Sequence, residues 1–433
     1  MTTREMTDSA APSYVRPLAI VTTLFFMWGF LTCMNDILIP HLKATFDLGY
    51  AQVMLVQFAF FSAYFLFSLP WSKVVNHIGY QRTMVAGLGA MSGGALLFLP
   101  AASLASFPLF LCALVVLAAG VTGLQVAANP YVVVLGKERT ASSRLVLTQA
   151  FNALGTAVAP SIGGALLLAS APLTARELAA LSPAALQAYR VEQAASVKLT
   201  YLVVSIALAV LAVLIAFSKL PKISEVENNG QGIEDSVWKH RNLMLGALAI
   251  FAYVGAEVSI GSFLVNYLGQ PNIAGLSPKT AAGYVSFYWL GAMLGRFAGA
   301  GILRRAKAAH ALAVCAVGAA SLVVISMASG GVVAMWTILA VGLFNSIMFP
   351  TIFSLGVAEL GPLTSGGSGV LNMAIVGGAV LPLFQGAIAD TVGIQSAFFV
   401  PVTCYLYILF YAIRGSAPNS QRAASGQDVL AAH

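Results

Sequence analysis

Two stretches of the sequence share one pattern: NPYVVVLG at 129–136 and FPTIFSLG at 349–356. In each stretch a proline is followed six residues later by a glycine, and Pro350 comes 220 positions after Pro130 (350 − 130 = 220). Proline and glycine both disturb a helix locally, so a repeated pair indicates a repeated helix shape. The pattern therefore predicts an internal duplication with an offset of about 220 residues.

Two further sets of residues repeat at almost the same offset. The apolar segments that follow contain glycine, proline and glycine at matched positions, 222 residues apart: Gly155, Pro160 and Gly164 in the first copy, Gly377, Pro382 and Gly386 in the second. Each copy also begins with an apolar segment that carries a single acid, Asp36 or Glu257, and these acids are 221 residues apart. The three sets together predict two halves with the same fold.

The composition places most of the chain in a lipid environment. Of its 433 residues only 9% are charged and 59% are hydrophobic, with a mean hydropathy of +0.87. Soluble domains carry roughly 25% charged residues, so a soluble enzyme is excluded. Long apolar runs such as 109–119 lack the alternation of a membrane β-strand, and they favour helices.

A helix needs about 20 apolar residues to cross the bilayer. Twelve segments meet this length, so we predict an all-α membrane protein with twelve transmembrane helices in two six-helix, pseudo-symmetric halves. The predicted spans are 17–40, 50–75, 83–103, 107–135, 145–170, 200–218, 243–268, 280–303, 309–328, 331–357, 367–390 and 395–414.

The polar segments between the spans predict the domain limits. We expect an N-terminal tail at 1–16, a first half at 17–218, a linker at 219–242, a second half at 243–414 and a C-terminal tail at 415–433. Within the first half, 171–199 is polar with helical spacing, and it predicts external amphipathic helices.

The basic residues predict the orientation in the membrane. With the N-terminus inside, sixteen of the 22 Lys and Arg residues lie in inside segments, five lie outside, and Arg296 lies within span eight, near its cytoplasmic end. Positive charge marks the cytoplasmic side, so both termini are predicted to be cytoplasmic, in a bacterial-type inner (plasma) membrane. The net charge of +7 comes from these short clusters between spans, which gives no indication of a nucleic-acid partner.

Several longer motifs are more specific than the repeat: FFMWGFLTCMNDILIPHLKATFDL (25–48), GLQVAANPYVVVLG (123–136), TQAFNALG (148–155), LSPAALQAY (181–189) and FPTIFSLGVAELG (349–361). They resemble the fucose:proton symporter family of the major facilitator superfamily, including its glucose/galactose and N-acetylglucosamine branches. The resemblance covers both halves. It implies the major facilitator fold and an alternating-access carrier that imports a monosaccharide with a proton.

Asp36 and Glu257 are the predicted proton-coupling residues. A carboxylate at membrane depth costs several kcal/mol unless it is protonated or faces a wet cavity, so a lone acid in a span indicates function. The resemblance ties the acid of the first span to sugar transport and proton coupling. Glu257 is the matching acid of the second half, and it is predicted either to bind a second proton or to bind sugar or Na⁺.

Amides at membrane depth are predicted to bind the sugar, because each offers two donors and an acceptor for hydroxyl groups. Gln149 and Asn152 are three residues apart and share a helix face. The predicted substrate-binding residues are Trp28, Asn35, Asp36, Gln125, Asn129, Gln149, Asn152 and Glu257. Weaker polar candidates from the second half are Asn266, Tyr267, Asn345 and Asn372. Aromatic candidates that could face the apolar side of a sugar ring are Tyr253, Tyr288 and Trp289.

Gln125 departs from the fucose-specific pattern. Where the resembling fucose carrier has a glutamate in the span-four motif, this chain has an amide that does not titrate, although it still bonds to sugar hydroxyls. Gln125 is more similar to the hexose and acetylated-hexosamine branches. The residues leave open whether the sugar is glucose or galactose, N-acetylglucosamine or L-fucose.

Other functions were weighed against sugar–proton symport. A Na⁺-coupled sugar symporter and a drug/proton antiporter would have the same fold. The amides clustered around one acid in each half favour a sugar over a drug as the substrate, but they leave the coupling ion open. A sugar sensor on a carrier fold would need a cytoplasmic signalling extension, and fewer than twenty residues follow Arg414. A membrane enzyme is not favoured, because no HExxH or paired-aspartate motif occurs. We expect a monomer in the lipid bilayer, with no cofactor beyond the coupling ion.

Overall fold

A computed structural model describes residues 14–46, 50–104, 106–167, 180–221 and 236–417. The description leaves out the side chains at 34–46, 50–55, 57, 160–167, 186–188, 190–197 and 278. Within the part of the chain that is described, every regular element is a helix. The prediction of an all-α fold is therefore confirmed.

The described residues of the first half form five α-helices. They are α1 (Val15–Phe46), α2 (Tyr50–Ser103), α3 (Phe107–Val134), α4 (Ala141–Leu167) and α5 (Pro183–Phe217). The 54 residues of α2 contain the predicted spans two and three, which meet at a sharp bend at Gly79. Gly79 has φ 79° and ψ 169°, a conformation that glycine adopts without the steric cost of a Cβ atom.

The predicted external segment 171–199 differs in part from the structure. Residues 171–179 lie outside the described residues, and from Pro183 onward the segment is continuous with span six in one 35-residue helix, α5. This helix begins at Ser182, whose side chain accepts a hydrogen bond from the backbone N–H of Ala185. Separate amphipathic helices are therefore not formed after Pro183.

The second half is built from nine shorter helices. They are α6 (Arg241–Leu268), α7 (Pro278–Ile302), α8 (Ala308–Ala328), α9 (Gly331–Asn345), α10 (Met348–Gly356), α11 (Thr364–Met373), α12 (Gly377–Val392), α13 (Ile394–Ala397) and α14 (Phe399–Phe410). Predicted span ten is broken between α9 and α10, and span eleven is broken between α11 and α12. Among the described residues, the corresponding spans four and five of the first half are the continuous helices α3 and α4, so these two breaks belong to the second half alone.

Nine ranges of the described residues are long and apolar enough to cross a bilayer. One of them, Phe58–Ser103, has 46 residues, which is enough for two crossings of about 20 residues each. Most helix limits follow the predicted spans, but α1 continues six residues beyond predicted span one and α5 begins at Pro183, before predicted span six. The twelve-span, two-half fold is confirmed. The bend in α2 lies at Gly79, whereas span ten is broken at Ser346 and Ile347, which are neither glycine nor proline.

The repeated glycines Gly155 and Gly377 serve the same packing purpose in the two halves. A Cβ atom on Gly155 would collide with the carbonyl oxygen of Phe26 in α1, and one on Gly377 would collide with the carbonyl oxygen of Phe251 in α6. The eleventh span therefore crosses the seventh as closely as the fifth crosses the first. The Asn152 side chain strengthens the first crossing by donating from Nδ2 to the Phe25 carbonyl oxygen at 3.0 Å.

We predict that Gly155→Ala and Gly377→Ala each lower the melting temperature of the detergent-solubilised protein. The added methyl group must push two helix backbones apart, and such overpacking costs about 1–3 kcal/mol. Gly93→Ala is the matched control, because its Cβ atom would meet nothing within 4 Å. Equal melting temperatures for all three variants would show that these crossings are looser than described.

Among the described residues, several hydrogen bonds join the two halves near one end of the bundle, which we call the closed end. Serine side chains make these contacts. Ser142 and Ser354 share a hydrogen bond of 2.6 Å, Ser143 donates to the Ala300 carbonyl oxygen at 2.6 Å, Ser368 donates to the Val126 carbonyl oxygen at 2.9 Å, and Ser365 donates to Asn76 Oδ1. The connections from α3 to α4, α7 to α8 and α10 to α11 all lie at this end, where they line a cavity of about 1220 Å³.

Candidate transport site

Glu257 lies within α6, and two side chains contact its carboxylate. The Tyr253 hydroxyl, one helical turn earlier, donates a hydrogen bond of 2.8 Å to Oε1. Arg296 of α7 places its Nη2 atom 3.9 Å from the same oxygen. The side chains of Glu257 and Arg296 are each 14% exposed. A charge at this depth requires such partners, because its transfer from water is costly.

A polar network extends from this pair into the second half. The Tyr253 hydroxyl also lies 3.1 Å from the carbonyl oxygen of Asn345, the last residue of α9. Asn345 in turn donates from Nδ2 to the Tyr288 hydroxyl at 2.7 Å, and its Oδ1 atom has no partner. The break in span ten therefore adjoins Glu257, and three weaker sequence candidates lie together with it.

Arg296 is a residue of this site that the sequence analysis did not select. Its Nε donates to the Ser346 carbonyl oxygen at 3.3 Å, and its Nη1 donates to the Gln149 carbonyl oxygen at 3.4 Å. Gln149 belongs to α4 in the other half. Arg296 therefore contacts both Glu257 in its own half and the backbone of the opposite half. The sequence did contain a signal for this ion pair: Arg296 is a basic residue inside predicted span eight, and Glu257 is the acid of predicted span seven, so the two opposite charges lie in consecutive spans.

In the first half, Gln125 contacts a tyrosine that the sequence analysis missed. Its Nε2 donates to the Tyr64 hydroxyl at 2.6 Å, and Trp28 makes a side-chain hydrogen bond to the same hydroxyl. Helices α1, α2 and α3 meet at this point. Gln125 is 1% exposed, and its Oε1 atom has no partner. The predicted ligands Trp28 and Gln125 are therefore neighbours, with Tyr64 between them.

The other predicted amides lie in three different settings. Gln149 is 5% exposed and its Nε2 atom is unpaired, whereas both side-chain atoms of the buried Asn129 are unpaired. Asn152 uses its amide to donate to α1. A buried polar group without a partner costs about 1–3 kcal/mol, so unpaired amides mark places where water or a polar ligand completes the hydrogen bonds.

Asn35 and Asp36 are the remaining predicted site residues. Both positions belong to α1, which continues to Phe46 and thus extends six residues beyond the predicted end of span one. Their side chains lie outside the described residues. The roles assigned to Asn35 and Asp36 consequently remain predictions from the sequence.

Two contacting helical halves, with a charged pair beside a broken helix in one half and amides that lack described partners in the other, are typical of a membrane carrier of the alternating-access class. The family model described as Major Facilitator Superfamily matches residues 19–375. The chain belongs to this superfamily. It is a membrane transporter and not an enzyme.

Relatives support the assignment over nearly the whole chain. A protein of Brucella abortus biovar 1 (strain 9-941) named glucose/galactose transporter is 52% identical over 409 residues, covering 94% of this chain and 96% of the relative. The L-fucose-proton symporter of Escherichia coli (strain K12) is 34% identical over 409 residues, covering 92% and 93%.

A solved structure supports the fold as well. The crystal structure of a Major Facilitator Superfamily transporter, FucP, in the outward conformation superimposes with a TM-score of 0.87 at 33% identity. The superposition covers 93% of this chain and 99% of the FucP chain. The hydrogen bonds between the halves at the closed end accord with a carrier that is shut at that side of the membrane.

Proposed function

We propose that this carrier imports a neutral hexose together with a proton. The observation that carries the proposal is the setting of Glu257, a carboxylate within a transmembrane helix that contacts one hydroxyl and one guanidinium. A carboxyl group that alternates between these partners and a proton can move that proton across the membrane. The L-fucose-proton symporter among the relatives supports proton coupling.

Glucose and galactose are the proposed substrates. The relative with 52% identity is named a glucose/galactose transporter. At position 125 this chain has glutamine where the fucose-specific pattern has glutamate. The proposed sugar ligands are Asn35, Gln125, Asn129, Gln149 and Asn152, with Trp28 as a flat apolar surface. The unpaired atoms of Gln125, Asn129 and Gln149 support this role, because a sugar ring offers hydroxyl donors and acceptors to each of them.

The orientation follows from the closed end. Its cavity is lined by Arg139, Arg305 and Lys307, and an excess of such residues marks the cytoplasmic side of a membrane protein. We infer that the closed end is cytoplasmic, so that the structure faces outward, and that both termini lie in the cytoplasm of a bacterial cell with the carrier in its inner membrane. The proposed functional unit is a monomer whose linker at 219–242 joins the halves 17–218 and 243–414.

Uptake by purified protein in liposomes tests the proposal. Labelled glucose, galactose, N-acetylglucosamine and L-fucose are each supplied outside, with an inward gradient of protons or of Na⁺ imposed separately. We expect glucose and galactose to accumulate in response to the pH gradient alone. Accumulation in response to Na⁺ alone would identify a Na⁺ symporter, and accumulation of none of the four sugars would contradict the proposal.

We predict that Gln125→Glu makes hexose binding dependent on pH and lowers its affinity. The new carboxyl group has nearly the same shape, but it offers one donor when protonated and none when charged, whereas the amide always offers two. Sugar binding is measured by calorimetry at several pH values for wild type, Gln125→Glu and Tyr64→Phe. Tyr64→Phe is the control, because it removes the hydrogen-bond partner of Gln125 without adding a carboxyl group. Identical binding curves for wild type and Gln125→Glu would remove Gln125 from the sugar site.

A further inference from the structure

Arg296 contacts three elements at once, and one of them belongs to the opposite half. Its guanidinium reaches the Glu257 carboxylate in α6, the Ser346 carbonyl between α9 and α10, and the Gln149 carbonyl in α4. The contact with Gln149 crosses between the halves, as the serine contacts of the closed end do. Unlike those neutral contacts, it involves a charged side chain whose other partner is the acid of the transport site.

The charge of Glu257 holds the guanidinium in this position. The two carbonyl contacts are 3.3 and 3.4 Å long, beyond the usual 2.9–3.0 Å of an N–H···O hydrogen bond, so they are weak by themselves. The ion pair fixes Nη2 on the side of α6 while Nη1 points at α4. When Glu257 binds a proton, the attraction to the carboxylate is lost, and the contact with Gln149 loses its support.

We propose that Arg296 transmits the protonation state of Glu257 to the contact between the two halves. With Glu257 charged, Arg296 helps to keep the closed end shut. With Glu257 protonated, this contribution disappears, and the uncharged contacts, among them the serine hydrogen bonds and the Phe151–Phe297 ring contact, hold the halves together. Arg296 is thus a positioning residue that acts through Gln149 and not on the sugar. The inference rests on the proposed role of Glu257 as a proton carrier.

The side chains that surround Glu257 leave this pair as the pH-sensitive element. From its own helix it contacts Tyr253 and from α7 it contacts Arg296, while Tyr288 of α7 and Tyr405 of α14 are near enough to interact with it electrostatically. Tyrosine ordinarily titrates near pH ~10 and arginine above ~12, so neither changes charge near neutral pH. Among the described neighbours, a change of proton occupancy near neutral pH therefore falls on Glu257.

A disulfide across the closed end measures how often this end is shut. Ser142 and Ser354 are bonded through oxygens 2.6 Å apart, so Ser142→Cys and Ser354→Cys bring two thiols within bonding range when the halves touch. The four native cysteines, Cys33, Cys112, Cys315 and Cys404, are replaced by alanine first. The rate of cross-linking by a mild oxidant is then compared at one fixed pH of about 8, because a higher pH favours the charged form of a carboxyl group.

Four proteins are compared: this parent, parent with Glu257→Gln, parent with Arg296→Gln, and parent with both. We expect each single change to slow cross-linking at least about fivefold, which is the lower range of coupling between sites. The double change is expected to slow it no further, because both changes remove the same interaction. Ser368→Ala is the control: it removes a neutral contact between the halves, so its effect is expected to multiply with that of Glu257→Gln.

Two outcomes would overturn the proposal. One is that Arg296→Gln cross-links as fast as the parent. The other is that the fold reduction in cross-linking rate of the double variant equals the product of the fold reductions of the two single variants. If Arg296→Gln does not fold because Glu257 is left unpaired, the double variant, which leaves no charge unpaired, is compared with Glu257→Gln alone, and slower cross-linking by the double variant would overturn the proposal. Hexose uptake by wild type is measured separately, so a failure of the proposed sugar transport is distinguishable from a failure of the Arg296 inference.

Discussion

Glu257→Gln is expected to abolish the accumulation of hexose in response to a pH gradient while exchange of sugar across the membrane continues. Glutamine preserves the shape of the side chain and accepts the hydrogen bond from Tyr253, but it does not bind or release a proton. With a pH difference of about one unit, one proton per sugar supports roughly tenfold accumulation. In the variant the inside and outside concentrations should become equal.

Liposomes that contain wild type, Glu257→Gln or Tyr253→Phe provide the measurement. Tyr253→Phe is the matched control, because it removes a hydrogen bond to Glu257 and keeps the carboxyl group. It should still accumulate hexose, with an altered pH profile. Undiminished accumulation by Glu257→Gln would exclude Glu257 from proton coupling. Weaker hexose binding with an unchanged number of protons per sugar would instead make it a sugar ligand.

Asp36→Asn is expected to have an effect of similar size. Asp36 is the acid of the first apolar segment, and the helix that contains it continues to Phe46, so the position is well inside α1 and not at its end. An acid within a membrane helix must be protonated or face a wet cavity, and either condition suits a proton carrier. Loss of accumulation driven by the pH gradient is predicted, with exchange retained.

Asp390→Asn provides the control for this prediction. It is the same chemical change at an exposed acid near the end of α12, and it should leave accumulation at the wild-type level. Counterflow of labelled hexose, which needs no gradient of protons, is measured in parallel to show that Asp36→Asn still folds and turns over. Wild-type accumulation by Asp36→Asn would remove this residue from the coupling mechanism.

The fold was predictable from the sequence because the relevant signals are local. Apolar runs of about 20 residues identify the spans. The prolines and glycines do not locate the breaks as well, because Pro130 and Pro382 lie inside helices and span ten is broken at Ser346 and Ile347. The structure adds the reason for the repeat at Gly155 and Gly377, which is a close crossing of two helix backbones in each half. The external segment 171–199 was predicted less well, since polar residues with helical spacing do not reveal whether a helix stops before the membrane or, as in α5, continues into it.

The site was predictable only in part, because its contacts join helices that are distant in the sequence. Glu257, Tyr253 and Asn345 could each be selected for polarity within a span, but their mutual contacts depend on how α6 and α9 cross. Arg296 and Gln149, which are in contact, are separated by 147 positions in the sequence and belong to different halves. Spacing along one helix carries no information on such a contact, so Arg296 was interpreted from its own span alone.

The central claim is that sugar and proton move inward together, and a pH electrode tests it most directly. Liposomes with purified protein are suspended in weakly buffered, Na⁺-free medium without any imposed ion gradient, and glucose is added outside. Sugar that enters down its own gradient should draw protons with it, so the medium should become alkaline at once, and a proton ionophore should reverse the change. Rapid glucose entry with no change in external pH, or entry only after Na⁺ is added, would contradict proton symport.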